Sequence, residues 1–442
     1  MLFSKRDITK IIVPLLIEQT LAITVGMLDG VMVSRAGEAA FSGVALVDSF
    51  NTLIIYVFTA LASGGAVVIS QALGAKNNEM VQRSSKQLVW FVGFISLFLA
   101  SIVIIARKPI LNFLFGAINK DVMDNALTYL FYTAISYPFL GIRNAGAAIL
   151  RAHGDSKTSM YASLIMNMIN FVGNAILIFV FNMGAKGAAI ATLFSRIVGM
   201  FIILGVLCNK KRPEHVDNLL KYRPEFHILK RICGIGIPNG IENGMFQLGK
   251  VLTQAIVSGM GTFVIAANSA ANTLTALQYI PTTAFGAAII TVVGRCIGAG
   301  EKEQAKYYTK KLIGLTYVTI WAISIPLCVF SKSITGLFNL EAEAHKLAIQ
   351  LLIYHSIIVS ILHPVAFTLT NTFRAGSDIK YTMTISIFSM WIFRLGLSYL
   401  FCYAFNFGIF GVWFAMACDW IFRAVIYIIH YKNNKWLTKF KE

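Results

Sequence analysis

Twelve long apolar stretches, separated by polar connections, constrain the fold of this chain more than any other feature. A stretch of about 20 apolar residues is long enough to cross a bilayer as a helix. The stretches lie near residues 11–34, 44–72, 88–105, 125–150, 158–181, 187–207, 232–258, 264–294, 312–330, 347–373, 381–405 and 408–431. Only 13% of the 442 residues are charged, against roughly 25% in typical soluble domains. The sequence therefore predicts an all-α polytopic membrane protein with twelve transmembrane helices.

The placement of the basic residues predicts how the chain is oriented in the membrane. The net charge of +18 comes from 38 basic and 20 acidic residues, and most of the basic ones lie at the N-terminus, in the even-numbered connections and in the tail. Because cytoplasmic loops carry the excess of lysine and arginine, we expect a multi-pass protein of the cell membrane with both termini in the cytoplasm. The basic loops then contact membrane lipid, and no nucleic-acid partner is expected.

The second half of the sequence repeats the first. Glu18 recurs as Glu242, 224 residues further along, and each of these acids follows a proline by four residues. A Phe-Asn-x-Gly-x-x-Gly motif occurs at 181–187 and again at 405–411. Corresponding basic loops lie on the same side of the membrane, so the repeat is parallel and gives two pseudo-symmetric six-helix bundles. Parallel repeats of this kind are found in secondary transporters.

The repeat also predicts the domain organisation. We expect an N-terminal lobe at 1–207, a basic cytoplasmic linker at 208–231, and a C-terminal lobe with a short basic tail at 232–442. The linker is long enough to allow the two lobes to move. Near Arg151 and its match Arg374 the offset is 223, so one residue is inserted in the fifth span or in its mate.

Polar side chains within the apolar stretches mark the candidate sites, because ionisable groups inside a bilayer are costly and face a cavity or a partner. Glu18 and Asp29 are eleven residues apart in the first span. This separation is about three helical turns, so the two acids share one face. Asn167, Asn170 and Asn174 have the i, i+3, i+7 spacing of a single stripe on the fifth span. We predict that this stripe and the first-span acids line a polar interior.

Thr192 in the sixth span adds a hydroxyl oxygen to these candidates. A carboxylate with amide and hydroxyl oxygens suits a hard cation, and it suits a proton carrier equally well. The alternative is that the asparagine stripe only joins helices by hydrogen bonds. In the second half Asp29 corresponds to Thr253 and Thr192 to Met416. We therefore expect cation coupling in the first half alone.

A second set of candidates concerns the substrate. Glu18 and its repeat mate Glu242 are expected to line the substrate cavity, with Asn167 and Arg394 beside them. Asn170 corresponds to Phe393 or Arg394, depending on where the one-residue insertion falls. If Arg394 is the mate, Glu242 is its expected partner; the alternative is that Arg394 snorkels or pairs elsewhere. Asp419 has a basic residue four positions later, Arg423, which predicts a structural ion pair on one helix face.

At these residues the chain closely resembles the multidrug and toxic compound extrusion (MATE) family, over essentially its whole length. The matching segments are Asp-Gly-Val-Met-Val at 29–33, Ser-Gln-Ala-Leu-Gly-Ala at 70–75, Arg-Ala-x-Gly-Asp at 151–155 and Ile-Pro-Asn-Gly-Ile-Glu-Asn at 237–243. The resemblance implies a cation-coupled antiporter of twelve helices in two bundles. Such a protein exports organic, often cationic or amphipathic, compounds by alternating access.

The resemblance also implies which residues hold the coupling ion. The N-terminal cation site of the family corresponds here to Asp29, Asn170, Asn174 and Thr192, as ligands of Na⁺ or carriers of H⁺. Some relatives have an aspartate at the position of Asn174, so its replacement by an amide leaves the choice of ion open. Another branch uses an acid in the tenth helix, but the span 347–373 has no Asp or Glu. We expect no cofactor other than the coupling ion.

The sequence leaves one other transport function open and argues against an enzyme. A lipid-linked oligosaccharide flippase of the same wider superfamily carries anionic headgroups, and the intramembrane cations Arg143, Arg196, Lys250 and Arg394 keep this alternative open. An enzyme is not expected, because the sequence has no His-Glu-x-x-His motif, no Gly-x-Ser-x-Gly motif and no phosphate-binding loop. The expected partners are a small organic substrate and membrane lipid, and the expected oligomeric state is a monomer.

Overall fold

The computed structural model describes residues 2–116, 119–219, 221–338 and 340–438, and each of the twelve predicted spans coincides with helix. The α-helices are α1 Lys5–Ser34, α2 Glu38–Gly74, α3 Asn78–Phe115, α4 Lys120–Ile135, α5 Tyr137–Ala152, α6 Ser156–Asn174, α7 Gly184–Leu207, α8 Phe226–Ser258, α9 Thr262–Thr275, α10 Ile280–Gly298, α11 Lys302–Val329, α12 Ser331–Gly336, α13 Ala342–His363, α14 Thr370–Ala375, α15 Ile379–Ser389, α16 Leu397–Tyr399 and α17 Ile409–Lys432. The predicted all-α architecture is confirmed for these residues.

Ten helical segments of the described chain are long and apolar enough to cross a membrane. The fourth predicted span, 125–150, is not one of them, because Ser136 divides it into α4 and α5 of 16 residues each. The seventh, 232–258, lies within the 33-residue α8, which carries Glu242 and Lys250 in its interior. Both predicted spans are therefore helical. The fourth differs from the other ten spans in being divided, and the seventh differs in carrying charged residues.

The one-residue insertion predicted from the repeat coincides with a π-helical segment. In the first half, α6 continues into one such segment, Ala175–Val180. In the second half the corresponding helix contains two, Met390–Gly396 and Leu400–Ala404. Since a π-bulge accommodates an additional residue within a helix, we attribute the insertion to Met390–Gly396. Arg394 lies in that segment.

One compact unit comprises Lys5–Gly240. In it, α1 packs on α6, α2 packs on α3, α4 and α5, and α7 packs on α4, α5 and α6. Gly64 on α2 is required for close packing on the start of α8, because a Cβ there would lie 2.6 Å from the carbonyl oxygen of Ile232. A larger residue at position 64 would force these two helices apart.

The connection between α7 and α8, predicted as the linker, is anchored to α3 of the same unit. Gln82 donates a hydrogen bond from Nε2 to the carbonyl oxygen of His215 at 2.7 Å. Trp90 donates from Nε1 to the carbonyl oxygen of Leu219 at 2.6 Å. The Tyr222 ring stacks on Trp90 with centroids 5.4 Å apart. Length alone therefore does not make this connection free to move.

The other compact unit comprises Met1–Ser4 and Ile241–Glu442. Near its N-terminal end, Phe3 packs edge-on against Tyr308 of α11 with centroids 5.8 Å apart. Helix α9 packs on α13, and α10 packs on α11 and α14. The tail after α17 folds back so that Trp436 is fully buried. The domain limits expected from the sequence remain a prediction.

Candidate cation-coupling site and buried ion pairs

The four residues predicted to hold the coupling ion form one hydrogen-bonded chain. Asn174 donates from Nδ2 to Asp29 Oδ1 at 2.9 Å. The same nitrogen lies 3.4 Å from Asn170 Oδ1, and Asn170 donates from Nδ2 to Thr192 Oγ1 at 3.1 Å. Helices α1, α6 and α7 thus bring together a carboxylate, two amides and a hydroxyl. Their role in binding a cation remains a prediction.

One acceptor in this network has no partner. Asn174 is 2% exposed, and its Oδ1 is buried without a hydrogen bond. An unpaired buried amide oxygen is unfavourable, and a hard cation or a hydrated proton would satisfy it. Asp29, Asn174 and Thr192 line a cavity of about 260 Å³, together with Asp48 and Tyr129. The donor set of this cavity fits Na⁺, which prefers oxygen ligands such as carboxylates and amides.

Asp48 belongs to the same cavity, although the sequence does not identify it as a site residue. Tyr129 donates its hydroxyl to Asp48 Oδ1 at 3.1 Å, and Asn51 Nδ2 lies 3.4 Å from the same oxygen. Tyr137 in turn donates to Asn51 Oδ1 at 2.6 Å. Asp48 is close to the start of its predicted span, so the sequence favours an interpretation as a water-exposed acid. Only the packing of α2 on α4 and α5 reveals these partners.

Asn167 does not join the network. It is partly exposed and makes no hydrogen bond to another described residue. Asn170 and Asn174 are one helical turn apart and hydrogen-bond to each other, whereas Asn167 lies a further turn away along α6. The stripe is therefore present as predicted, but two of its three members form the polar contacts. The assignment of Asn167 to a substrate cavity remains a prediction.

Glu18 lies in a buried cradle of hydroxyls and guanidinium groups. Its Oε1 accepts a hydrogen bond from Ser163 Oγ at 2.6 Å, and its Oε2 accepts one from Ser159 at 3.3 Å. Arg143 Nη2 lies 3.6 Å from Oε1 and Arg151 Nη1 lies 4.0 Å from it. Glu18 is 6% exposed, so its charge is compensated within its own lobe.

Glu242 has the same surroundings in the second half. Its carboxylate accepts hydrogen bonds from Ser386 at 2.8 Å and from Thr382 at 3.3 Å. Arg374 Nη2 lies 3.0 Å from Oε2. These three partners are the repeat mates of Ser163, Ser159 and Arg151, so the internal repeat extends to individual contacts. The expected place of both glutamates in a substrate cavity remains a prediction.

The expected pairing of Arg394 with Glu242 is wrong. Glu242 forms its ion pair with Arg374 instead. The carboxylate nearest to Arg394 is that of Asp419, whose Oδ2 lies 3.9 Å from Arg394 Nη1. The predicted ion pair of Asp419 with Arg423 is confirmed, with Nε and Oδ1 2.8 Å apart. The sequence misses Arg374 as the partner because it is distant from Glu242 along the chain and lies at the end of a span.

Two buried histidines in the second half belong to a polar and aromatic cluster. His355 lies 2.7 Å from Gln278 Oε1 through Nδ1 and 2.9 Å from the Tyr279 hydroxyl through Nε2. His363 lies 2.8 Å from Thr282 Oγ1 and stacks on Tyr279 with centroids 4.9 Å apart. Both rings are thus satisfied inside the protein. In the described parts of the chain no three His, Cys, Asp or Glu residues are grouped as metal ligands.

A polytopic helical protein of two repeated halves, with charged groups compensated inside the membrane, is built like a secondary transporter. The MatE family model matches residues 14–176 and again 238–400. The two matched segments begin 224 residues apart, the offset found in the sequence, so the parallel repeat is confirmed. The chain belongs to the MATE family of multidrug efflux transporters.

Similar proteins agree with this assignment. An uncharacterized transporter of Bacillus subtilis, YisQ, is 26% identical over 96% of this chain and 94% of its own length. A probable multidrug resistance protein of Thermotoga maritima, NorM, is 25% identical over 98% and 93%. Among solved structures, a MATE transporter in complex with MaD3S has a TM-score of 0.92 over 99% of this chain and 97% of that one, at 21% identity. These matches confirm the predicted twelve-helix fold.

Proposed function

We propose that this protein is a secondary active antiporter that exports organic, cationic or amphipathic compounds in exchange for Na⁺ or H⁺ by alternating access. The observation that carries the proposal is the chain of hydrogen bonds from Asp29 through Asn174 and Asn170 to Thr192. In it one carboxylate is joined to two amides and a hydroxyl, and Asp29, Asn174 and Thr192 line a cavity of the first lobe. We further propose that the protein acts as a monomer in the cell membrane, with both termini in the cytoplasm.

Asp29 is the residue on which coupling would depend. Its negative charge is partly exposed to the cavity, and Asn174 is the residue that donates to it. A bound Na⁺ or proton would neutralise that charge and compete with the amide for the same oxygen. Coupling then requires that the cation and the exported compound change each other's affinity. An amide at position 29 would keep the shape and remove the charge.

The flippase alternative depends on intramembrane cations that are free to bind an anionic headgroup. In the first lobe Arg143 is ion-paired with Glu18 and hydrogen-bonded to Ser163, and Arg196 donates to Ser136 at 2.6 Å. Two of the four cations on which this alternative depends are thus already engaged. This favours the antiporter.

Efflux from proteoliposomes tests the proposal. Purified protein is reconstituted with a fluorescent organic cation such as ethidium inside, and a sodium gradient and a proton gradient are imposed separately. We expect efflux under one gradient for the parent, and at least a tenfold lower rate for Asp29→Asn. Asp124→Asn serves as the matched control, because Asp124 is exposed on α4 and its carboxylate makes no contact in the site.

Efflux by Asp29→Asn at the parental rate against a gradient would show that coupling lies elsewhere. Transport of a lipid-linked oligosaccharide, with no transport of small compounds under either gradient, would favour the flippase instead. Equal loss of efflux in Asp124→Asn would indicate a general effect of removing an acid and would remove the support for Asp29.

A further inference from the structure

In the second lobe Lys250 has no carboxylate partner among the described residues, and Arg394 shares Asp419 with Arg423. Lys250 on α8 is exposed and forms no hydrogen bond or ion pair with any described residue. Arg394 is largely buried, and its nearest carboxylate oxygen is 3.9 Å away, beyond hydrogen-bond distance. The Nε of Arg394 is buried without a hydrogen-bond partner. Around Lys250 and Arg394, hydrogen-bond donors therefore outnumber acceptors and positive charges outnumber carboxylates.

The two acids within the spans of this lobe, Asp419 and Glu242, do not remove the excess. Asp419 Oδ2 has no hydrogen-bond partner and lies 3.9 Å from Arg394, so one carboxylate serves both Arg394 and Arg423. Asp419 accepts from Arg423 Nε at 2.8 Å and from the Ser389 hydroxyl. Glu242 is held by Arg374 at 3.0 Å and by two hydroxyls. A cation inside a membrane protein without a counter-charge is costly, and such residues mark sites of substrates or ions. The region around Lys250 and Arg394 therefore has more positive than negative charge, and a bound anion would compensate it.

The surroundings of the two cations are aromatic. Lys250 Nζ lies 5.3 Å from the centroid of Phe246 and 6.0 Å from that of Tyr279. The Arg394 guanidinium lies 5.6 Å from the same Phe246 ring. Both positive groups therefore lie against one aromatic surface. Such a surface accommodates a planar apolar body, while the cations bind an oxyanion attached to it.

These cations are additions to the duplicated scaffold. Lys250 corresponds to Gly26 in the first half, a position without a side chain. Arg394 lies in the π-helical segment that accommodates the inserted residue. By contrast, Arg374 has the equivalent Arg151 in the first lobe, where both arginines hold a glutamate. The cations that have no carboxylate of their own are thus the ones that the common fold does not require.

We propose that Lys250 and Arg394 bind the anionic group of an exported compound, a carboxylate or sulfonate on an aromatic body. This inference rests on the proposed export function and adds to its substrates amphipathic compounds that carry an anionic group, zwitterions included. Lys250 supplies an accessible point charge, and Arg394 supplies the buried donor. Phe246 and Tyr279 provide the apolar surface for the ring.

Equilibrium binding to the purified protein tests this site without any gradient. The probes are 1-naphthaleneacetate, its neutral amide 1-naphthaleneacetamide, and 1-naphthylmethylammonium, measured in phosphatidylcholine nanodiscs by equilibrium dialysis. We expect the parent to bind the carboxylate about tenfold more tightly than the amide, a difference of about 1.4 kcal/mol. The preference should fall close to one in Lys250→Gln and return in Lys250→Arg.

Lys311→Gln is the matched control, since Lys311 also lies over a tyrosine ring of the same lobe, at 5.7 Å from Tyr307. It should keep the full preference for the carboxylate. Arg394→Lys should keep the positive charge but weaken carboxylate binding, because a lysine lacks the planar donors of arginine. Equal binding of carboxylate and amide by the parent would overturn the proposal, as would tighter binding of the ammonium probe.

A lipid headgroup is the other source of the same chemistry. In nanodiscs that also contain phosphatidylglycerol, the carboxylate preference should persist in the parent. Its disappearance there would assign the site to anionic lipid and would contradict a substrate site. Since no gradient is used, a protein that retains the binding preference but fails in the efflux assay would refute only the proposed antiport.

Discussion

Glu18 in the first lobe and Glu242 in the second accept hydrogen bonds from hydroxyls at matching positions, and an arginine at matching positions compensates each charge. Further along the same two helices the lobes differ. The Asp29 carboxylate accepts a hydrogen bond from the amide of Asn174, whereas its mate Thr253 donates its hydroxyl to the backbone of its own helix. Lys250, near Thr253, adds a positive charge that the first lobe lacks.

This difference indicates which polar residues are part of the fold that the two lobes share and which are specific to one lobe. Duplication kept the ion pairs between the first helix of each lobe and the end of its fourth span, because loss of one partner would leave a buried charge uncompensated. The positions around Asp29 and Lys250 carry no such constraint and have opposite charge in the two halves. We interpret the first lobe as the cation-binding half and the second as the half that binds an anionic group.

Asp419→Asn should produce the largest effect of the changes that separate the lobes. Asp419 is 0% exposed and compensates Arg423, with Arg394 nearby. Its loss leaves buried guanidinium groups without an acid, at a cost of about 3–5 kcal/mol. The thermal unfolding midpoint of the detergent-solubilised protein should fall strongly. Ser195→Ala, at the matching position of the first lobe, should change it little, and similar midpoints for the two variants would contradict this account of Asp419.

Glu18→Gln and Glu242→Gln test whether the hydroxyls and arginines around the two glutamates stabilise the two lobes equally. Each should lower the stability by about 2 kcal/mol, because the amide keeps the hydroxyl contacts but leaves an arginine unpaired. Glu18→Gln should cost more, since Arg143 as well as Arg151 lies within 4.0 Å of Glu18. The same unfolding measurement checks this order. A larger loss in Glu242→Gln would show that the two cradles are not equivalent.

Asn174→Asp tests the difference in the polar interiors. A second carboxylate would lie beside Asp29, whose Oδ1 is 2.9 Å from Asn174 Nδ2, so cation affinity should rise about tenfold. The matched change in the second lobe is Ser398→Asp, four residues from Arg394. There the new acid should pair with the arginine and bind no cation. Isothermal titration with Na⁺ at fixed pH measures both, and cation binding created by Ser398→Asp would contradict the assigned polarity.

Trp90→Phe should have the smallest effect, on the segment that follows the first lobe. The change keeps the ring beside Tyr222 but removes the hydrogen bond to the carbonyl of Leu219. A loss of about 1 kcal/mol should speed tryptic cleavage at Lys221 and Arg223 about fivefold. Trp321→Phe loses a comparable bond to Ser360 in the second lobe and should leave this cleavage unchanged. Unaltered cleavage in Trp90→Phe would show that the bond does not hold the linker.

The sequence predicts the helices well, because the length of an apolar stretch can be read directly from the sequence. It predicts some side-chain contacts and misses others. Helical spacing and family resemblance predict one site from Asp29, Asn170, Asn174 and Thr192. These four side chains form one hydrogen-bonded chain, and their binding of a cation stays a prediction. The sequence does not predict the partner of Arg394, because a sequence pattern does not indicate whether Glu242 or Asp419 lies nearer to it in space. The anchoring of the linker was missed for the same reason, because its acceptors are backbone carbonyls.

We propose that the coupling cation binds in the first lobe alone. Equilibrium binding of radioactive Na⁺ to the purified protein, with proton uptake recorded in parallel, tests it most directly. We expect one cation per molecule, Na⁺ or H⁺, in the parent and in Lys250→Gln, and none in Asp29→Asn. A second cation in the parent, or one that persists in Asp29→Asn, would contradict it.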